Sequence, residues 1–135
     1  MPGLLRIDPA DAAPIWRQIE EGIAHLVGSG ALVPAAPVPS VRDLARDLGV
    51  NPATVAKAYQ RLADAGVLTV KRGDGTYVAE RPPRLTRGQR GRLLGEAAAR
   101  YAAMAANVGA PADEALGEVK TALARFTRGE GGGNR

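Results

Sequence analysis

The sequence has no cysteine, only one histidine and few aromatic residues, which make up 4% of its 135 residues. The lack of cysteine excludes disulfides and thiolate metal sites, and a single histidine excludes a histidine-based zinc cluster. We therefore expect no metal or other cofactor. The hydrophobic fraction of 45% is enough for a globular core, which must be mainly aliphatic because aromatic side chains are scarce.

Long apolar segments and enzyme signatures are also missing. No apolar run approaches the roughly 18 residues of a membrane span, and the N-terminal residues lack the basic and apolar regions of a signal peptide. The chain has no phosphate-binding loop after a strand, no assignable Ser–His–Asp set and no paired carboxylates in a plausible cleft. We expect a cytoplasmic protein that is not an enzyme and has no membrane partner.

The charge is unevenly distributed along the chain. The formal net charge is +4, yet residues 1–83 contain nine basic and nine acidic residues, whereas residues 84–135 contain nine and five. An excess of positive charge favours an acidic partner such as nucleic acid. The N-terminal part of the chain is neutral, so it must place its positive side chains on one face if it binds DNA.

Residues 40–78 contain two short helical patterns followed by two strand patterns. Ser40 and Asn51 are suitable N-caps for the two helices, and Gly49 between them supplies the left-handed conformation that ends the first. A glycine-containing turn at residues 72–75 separates the strands. This order of helix, turn, helix and hairpin predicts a winged helix–turn–helix domain.

The flanking segments complete the predicted organisation, which is mainly α with a small β-hairpin. A helix with Asp11 as its cap precedes the helix–turn–helix, and a proline-rich extended segment over residues 34–39 leads into it. Thr86 and Gln89 match a capping box at the start of a later helix. We predict a DNA-binding domain over 1–80, a linker over 81–85, a two-helix dimerisation region over 86–128 and a disordered tail over 129–135.

The two C-terminal helices have long apolar stripes. Two helices alone cannot bury both stripes, so we expect a second copy of the chain to cover them. The residues predicted to form this dimer interface are Leu94, Tyr101, Val108, Leu116, Val119, Leu123 and Phe126.

The second helix of the predicted helix–turn–helix has a polar face suited to the DNA major groove. Its first turns carry Asn51, Ala53, Thr54 and Lys57, which are small, polar or basic and point away from the apolar stripe. An ordinary solvated helix face is the alternative. The neighbouring turn and wing favour DNA contact.

Three arginine features have two interpretations each. Arg42 can bind a phosphate, or pair with Asp43 or Asp47. Arg72 can carry the wing tip to DNA, or the tip can be a plain turn. The acid-free run from Arg81 to Arg92 can contact the DNA backbone, or solvate a linker.

The sequence resembles the N-terminal domain of GntR-type bacterial transcription regulators over about residues 7–79. The positions that match are Pro14-Ile15-Trp16-x-Gln18-Ile19, Val38-Pro39-Ser40-x-Arg42-x-Leu44-Ala45, Leu48-Gly49-Val50-Asn51-x-x-Thr54-Val55-x-x-Ala58-Tyr59-x-x-Leu62, Gly66-x-Leu68 and Gly73-x-Gly75-Thr76-Tyr77-Val78. The short C-terminal region is similar to that of the YtrA subfamily. Several positions depart from the usual pattern: Trp16 replaces tyrosine, Ala35 the glycine of a Pro-Gly pair and Val38 a leucine. Ala53 and Ala56 lie where some relatives carry polar or basic residues.

The resemblance implies a homodimer that binds a roughly palindromic operator in double-stranded DNA, usually as a repressor and often beside a transporter operon. It implies DNA contacts at Ser40, Arg42, Asn51, Ala53, Thr54, Lys57, Arg72 and Gly73. A small-molecule effector stays unidentified. The alternative function is a winged-helix protein-interaction module that does not bind DNA.

Overall fold

The computed structural model describes the backbone of residues 5–133 and the side chains of residues 5–126. The described elements, in chain order, are α1 (Ile15–Gly28), α2 (Val41–Leu48), α3 (Pro52–Asp64), β1 (Leu68–Lys71), β2 (Gly75–Val78), α4 (Arg87–Asn107) and α5 (Ala112–Gly133). The predicted class, mainly α with a small hairpin, is confirmed. The chain divides into two compact units, an N-terminal unit up to Leu85 and a C-terminal unit from Thr86.

The predicted caps of α2 and α3 are confirmed. The Ser40 hydroxyl accepts a hydrogen bond from the Asp43 amide at 3.1 Å, and the Asn51 side chain accepts one from the Ala53 amide at 2.8 Å. Gly49 has a φ of 69°, a left-handed conformation that costs glycine nothing. The local sequence therefore sets both helix boundaries and the tight turn between them.

The start of α1 differs from the prediction. Asp11 does not cap the helix; its carboxylate accepts a hydrogen bond from the Ala13 amide at 2.9 Å, and the N-cap is Pro14. The chain is held ahead of the helix by Gln18, whose side chain accepts from the Asp8 amide at 2.7 Å and donates to the Asp8 carbonyl at 3.0 Å. Asp11 therefore stabilises a turn instead, and α1 begins later.

The hydrophobic core lies in the N-terminal unit, where α3 packs against both α1 and α2. Fully burying a medium-sized aliphatic side chain contributes about 1.5–3 kcal/mol. The core is almost entirely aliphatic, as the composition predicts, and Tyr59 is its aromatic member. The buried residues are Leu5, Ile19, Ile23, Val27, Leu44, Ala45, Val55, Ala58, Tyr59, Leu62, Val67, Leu68 and Val78.

The proline-rich segment before α2 pairs with the hairpin. The Ala35 amide donates to the Val78 carbonyl at 3.0 Å, the Val78 amide to the Ala36 carbonyl at 2.8 Å, and the Val38 amide to the Thr76 carbonyl at 3.0 Å. The sequence predicted this segment as extended but gave no partner for it. The pairing adds a third extended chain beside β2 and so fixes the base of the wing to the lead-in of α2.

The C-terminal unit is a helical hairpin. The predicted capping box is present, since the Thr86 hydroxyl accepts from the Gln89 amide at 3.1 Å and the Gln89 side chain accepts from the Thr86 amide at 2.8 Å. The Tyr101 hydroxyl donates to the Ala115 carbonyl at 2.9 Å and links α4 to α5. None of the side chains described in this unit is buried. Among all the described helices, none is long and apolar enough to cross a bilayer.

The segment predicted as a disordered tail, residues 129–135, overlaps the end of α5. α5 continues through Gly133, while Asn134 and Arg135 lie outside the described residues. Extending an existing helix adds one hydrogen bond per residue without a new nucleus. The helix can therefore continue into a glycine-rich segment that would not start a helix by itself.

Ala35 has an unfavourable backbone conformation. Its φ is 66°, and it is the one non-glycine among the described residues with positive φ. The left-handed conformation costs an L-residue about 1–2 kcal/mol. The hydrogen bond from the Ala35 amide to β2 holds the residue in this conformation. The family that the sequence resembles usually has glycine at this position.

We expect Ala35→Gly to stabilise the protein by about 0.5–1 kcal/mol, because relief of the strain exceeds the greater entropy loss of glycine. The measurement is the free energy of unfolding by chemical denaturation. Ala36→Gly is the matched control, since Ala36 lacks a positive φ, and it should destabilise the protein. Equal losses of stability in both variants would contradict the assignment of strain to Ala35.

Candidate nucleic-acid interface

The first turn of α3 separates a buried face from an exposed one. Val55 and Leu62 are buried in the core, whereas Asn51 and Ala53 are exposed and Thr54 is half-buried. The exposed edge contains no acidic side chain and only short ones, so a polyanion can approach the helix backbone closely. The structure thus gives this helix the two faces that the sequence predicts.

The two cap residues have donors left over after capping. The Asn51 side-chain oxygen is used by the Ala53 amide, which leaves its NH₂ group facing outward as a donor. The Ser40 hydroxyl oxygen accepts from Asp43, which leaves its proton to donate. Phosphate oxygens are acceptors only, so both caps suit a phosphate or a base acceptor better than a cationic ligand.

Arg42 in the first turn of α2 is exposed and has no ion pair among the described side chains. The sequence left open a pair with Asp43 or Asp47. Asp43 instead accepts from Arg46, with 2.7 Å between the guanidinium nitrogen and the carboxylate oxygen. The positive charge of Arg42 is therefore available beside the cap of α2.

The wing tip is a tight turn with an exposed arginine. The Asp74 amide donates to the Lys71 carbonyl at 2.9 Å, and Gly73 has a φ of 78°, as the third residue of a type II turn requires. The Tyr77 hydroxyl donates to the Asp74 carboxylate at 2.9 Å. This hydrogen bond raises the pKa of Tyr77 and holds the one acid of the turn, whose negative charge remains close to the exposed Arg72.

Lys57 contacts an aromatic ring that the sequence did not connect with it. Its ammonium lies 4.3 Å from the centroid of the Trp16 ring in α1, and the Arg61 guanidinium lies 4.8 Å from the same centroid. Arg61 also pairs with Glu20 at 2.8 Å. The i,i+4 spacings of Trp16 with Glu20 and of Lys57 with Arg61 were visible in the sequence, but which helix faces meet was not.

The arginine run after the wing is divided between the two units. Arg81 and Arg84 belong to the N-terminal unit, and the later arginines lie in α4. The segment is docked on its own unit, because the Leu85 amide donates to the Gly28 carbonyl at 3.0 Å. A Cβ at Gly28 would lie 2.8 Å from the Leu85 side chain, so this contact requires glycine. The segment predicted as a linker is therefore fixed to the end of α1.

The C-terminal unit has an open apolar groove of about 780 Å³ between α4 and α5. Large apolar side chains at several predicted interface positions remain accessible to solvent, with Leu94 65%, Val108 69% and Leu116 63% exposed. The predicted dimer residues that line the groove are Leu94, Tyr101, Leu116 and Val119.

No cluster of three or more metal-ligating side chains occurs among the described residues.

Comparison with known proteins places these features in a family. The family described as "Bacterial regulatory proteins, gntR family" matches residues 16–78. The structure of YtrA from Sulfolobus acidocaldarius, a GntR-family transcription factor, is 35% identical, with a TM-score of 0.54, and the match covers 72% of this chain and 99% of that one. The chain belongs to the GntR family.

Two further relatives support this membership. The transcriptional repressor YtrA of Bacillus subtilis (strain 168) is 40% identical over 77 residues, which are 57% of this chain and 59% of the relative. The DNA-binding domain of AraR, solved in complex with operator ORX1, is 30% identical with a TM-score of 0.50, covering 56% of this chain and 93% of that domain. The chain thus matches little more than half of the curated repressor's length.

GntR-family membership confirms the class predicted from the sequence. The chain contains a winged helix–turn–helix domain of the GntR family, whose members compared above are transcriptional regulators, and its likeness to YtrA-type members is confirmed. The individual DNA contacts, the dimer interface and the division of roles between the two units stay predictions.

Tyr59 ties α3 to the segment before α2. Its hydroxyl donates to the Pro39 carbonyl at 2.8 Å, and its ring lies in the core. Burial raises the pKa of Tyr59 above the ordinary value of 10.0, because ionisation would place a charge in an apolar surrounding. The neutral hydroxyl therefore fixes the distance between α3 and the lead-in of α2.

We expect stability to fall above about pH 10, because the unfolded chain then releases the Tyr59 proton while the folded chain retains it. Below the ordinary pKa of 10.0 the contribution is fully present. The free energy of unfolding of Tyr59→Phe should decline less steeply between about pH 9 and about pH 11. Tyr77→Phe is the control and should change the slope less, since Tyr77 lies near the surface. Parallel curves for wild type and Tyr59→Phe would refute this explanation.

Proposed function

We propose that the protein is a dimeric repressor that binds a palindromic operator through the exposed edge of α3. The proposal rests on which charged side chains of the N-terminal unit have a partner and which do not. Arg42 and Arg72 are exposed and unpaired among the described side chains, whereas many acids bind a neighbouring side chain. Three acids are paired with a cation, namely Glu20 with Arg61, Glu21 with Arg17 and Asp43 with Arg46. Asp64 and Asp74 accept hydrogen bonds from the neutral side chains of Gln60 and Tyr77 and keep their charge.

Arg42 and Arg72 supply the positive charge of the proposed binding edge in a domain that is neutral by formal count. The first turn of α3 enters the major groove, Arg42 binds a phosphate beside it, and Arg72 carries the wing to the flanking backbone. The related AraR domain was solved in complex with an operator, which supports DNA binding by a domain of this kind. The proposed contacts are Ser40, Arg42, Asn51, Ala53, Thr54, Lys57, Arg72 and Gly73.

The dimer is proposed from the unburied apolar surface of the C-terminal unit. A helical hairpin in which no described side chain is buried has little core of its own. A second copy related by two-fold symmetry would cover the same stripes on both chains. The proposed interface residues are Leu94, Tyr101, Val108, Leu116, Val119, Leu123 and Phe126.

The regulatory direction and setting follow from the relatives. Repression is proposed because the Bacillus subtilis relative is named a repressor. A two-fold dimer would bind inverted half-sites, hence the palindromic operator. We place the protein in the cytoplasm, on the nucleoid when bound, and a neighbouring transporter operon is the proposed target. An effector, if one is used, is unidentified.

We expect Arg42→Ala and Arg72→Ala each to weaken operator binding about tenfold and to reduce the slope of log K against log salt by about one, because each removes one phosphate contact. The measurement is fluorescence anisotropy at several salt concentrations, with a duplex that the wild-type protein selects from a random-sequence library. Arg17→Ala, which removes an exposed arginine paired with Glu21, is the control and should have little effect.

Two outcomes would contradict the proposal, the first its DNA binding and the second the residues assigned to it. Failure of the wild-type protein to select any duplex, at low as well as physiological salt, would favour the protein-interaction module. Unchanged affinity and salt slope in both arginine variants would remove the assigned binding edge.

We expect Leu116→Lys to shift the protein from dimer to monomer at micromolar concentration, because it places a charge in the apolar groove. Sedimentation velocity measures the state, and circular dichroism confirms that the helices remain. Glu96→Gln, at an exposed position of α4 outside the groove lining, is the control and should stay dimeric. A wild-type monomer at this concentration would refute the dimer.

A further inference from the structure

Trp16 is the centre of a cluster between α1 and α3. Its ring interacts with two cations of α3: the Lys57 ammonium lies 4.3 Å and the Arg61 guanidinium 4.8 Å from the ring centroid. Both distances are within the roughly 6 Å range of cation–π attraction. The ring is half-buried, so part of it is packed and part remains at the surface.

The two cations differ in what else they bind. The Arg61 Nε lies 2.8 Å from a Glu20 carboxylate oxygen, so its charge is largely compensated within the chain. No acidic partner of Lys57 occurs among the described side chains, and Lys57 is exposed. The ring therefore holds in place one cation whose charge is still available to an outside anion.

The position of Lys57 suits such an anion. It follows Ala53 and Thr54 by four and three residues along α3, so the three lie on neighbouring parts of one helix surface. An ammonium group has three donors, and contact with a ring face leaves others free for a phosphate oxygen. A lysine held by a ring also loses less side-chain freedom when it binds than a free lysine does.

We propose that Trp16 is a positioning residue of the DNA interface, which holds the Lys57 ammonium in place to bind a DNA phosphate. This inference rests on the proposed function. It assigns a role in binding to a residue of α1 that lies outside the helix pair and the wing.

A double-mutant cycle tests the proposal on the duplex selected by the wild-type protein from a random-sequence library. We expect Trp16→Leu to weaken binding about two- to fivefold, in line with the strength of an exposed cation–π contact, with the salt slope nearly unchanged because Lys57 keeps its charge. Lys57→Met should weaken binding further and reduce the slope by about one. In the Lys57→Met background, Trp16→Leu should have no further effect.

Two controls separate positioning from general packing. Trp16→Phe keeps an aromatic face and should recover most of the lost affinity. In an Arg61→Met background the effect of Trp16→Leu should persist, because Arg61 is not the cation that binds DNA in this account. Chemical denaturation of each variant shows that the protein is folded under the binding conditions.

The outcomes distinguish this inference from the proposed function. If Trp16→Leu weakens binding equally with and without Lys57, the role of Trp16 is structural and the inference is overturned. If Trp16→Leu has no effect while Lys57→Met does, DNA binding stands and the positioning role is wrong. If the wild-type protein selects no duplex, the proposed function itself fails.

Discussion

The structure depends on the need of α3 to bury one face completely. Val55 and Leu62 are almost inaccessible, and Tyr59 joins them while its hydroxyl binds the Pro39 carbonyl. A helix held by one face must expose the opposite one with a fixed direction. The surface that carries the proposed DNA contacts is therefore positioned by the core of the N-terminal unit, and its exposed residues other than the helix caps Ser40 and Asn51 can change with little cost to stability.

The electrostatics follow from the same arrangement. Residues 1–83 carry no net charge by formal count, so attraction of DNA cannot come from overall basicity. In the proposed mode it comes from Arg42 and Arg72, which are exposed, while several acids bind a neighbouring side chain. Surface ion pairs add little stability. Each ion pair of this unit removes one cation together with one acid, so the proposed attraction depends on where the unpaired Arg42 and Arg72 lie.

Much of the fold could be predicted because its signals are local. The caps at Ser40 and Asn51 and the left-handed Gly49 each depend on residues within one helical turn. The pairing of residues 35–38 with β2 and the contact of Trp16 with Lys57 could not be predicted in this way, because they join segments far apart in the chain. Side-chain type indicated DNA binding, but only tertiary packing showed which charges are free.

The central claim is that α3 binds in the major groove of a two-fold symmetric DNA site. The most direct test is methylation interference at guanine N7, an atom exposed only in the major groove. The account predicts that methylation abolishes binding in two blocks about 10–10.5 base pairs apart, or a multiple of that distance. Undiminished binding to DNA methylated at every guanine N7 of the selected duplex would contradict the claim.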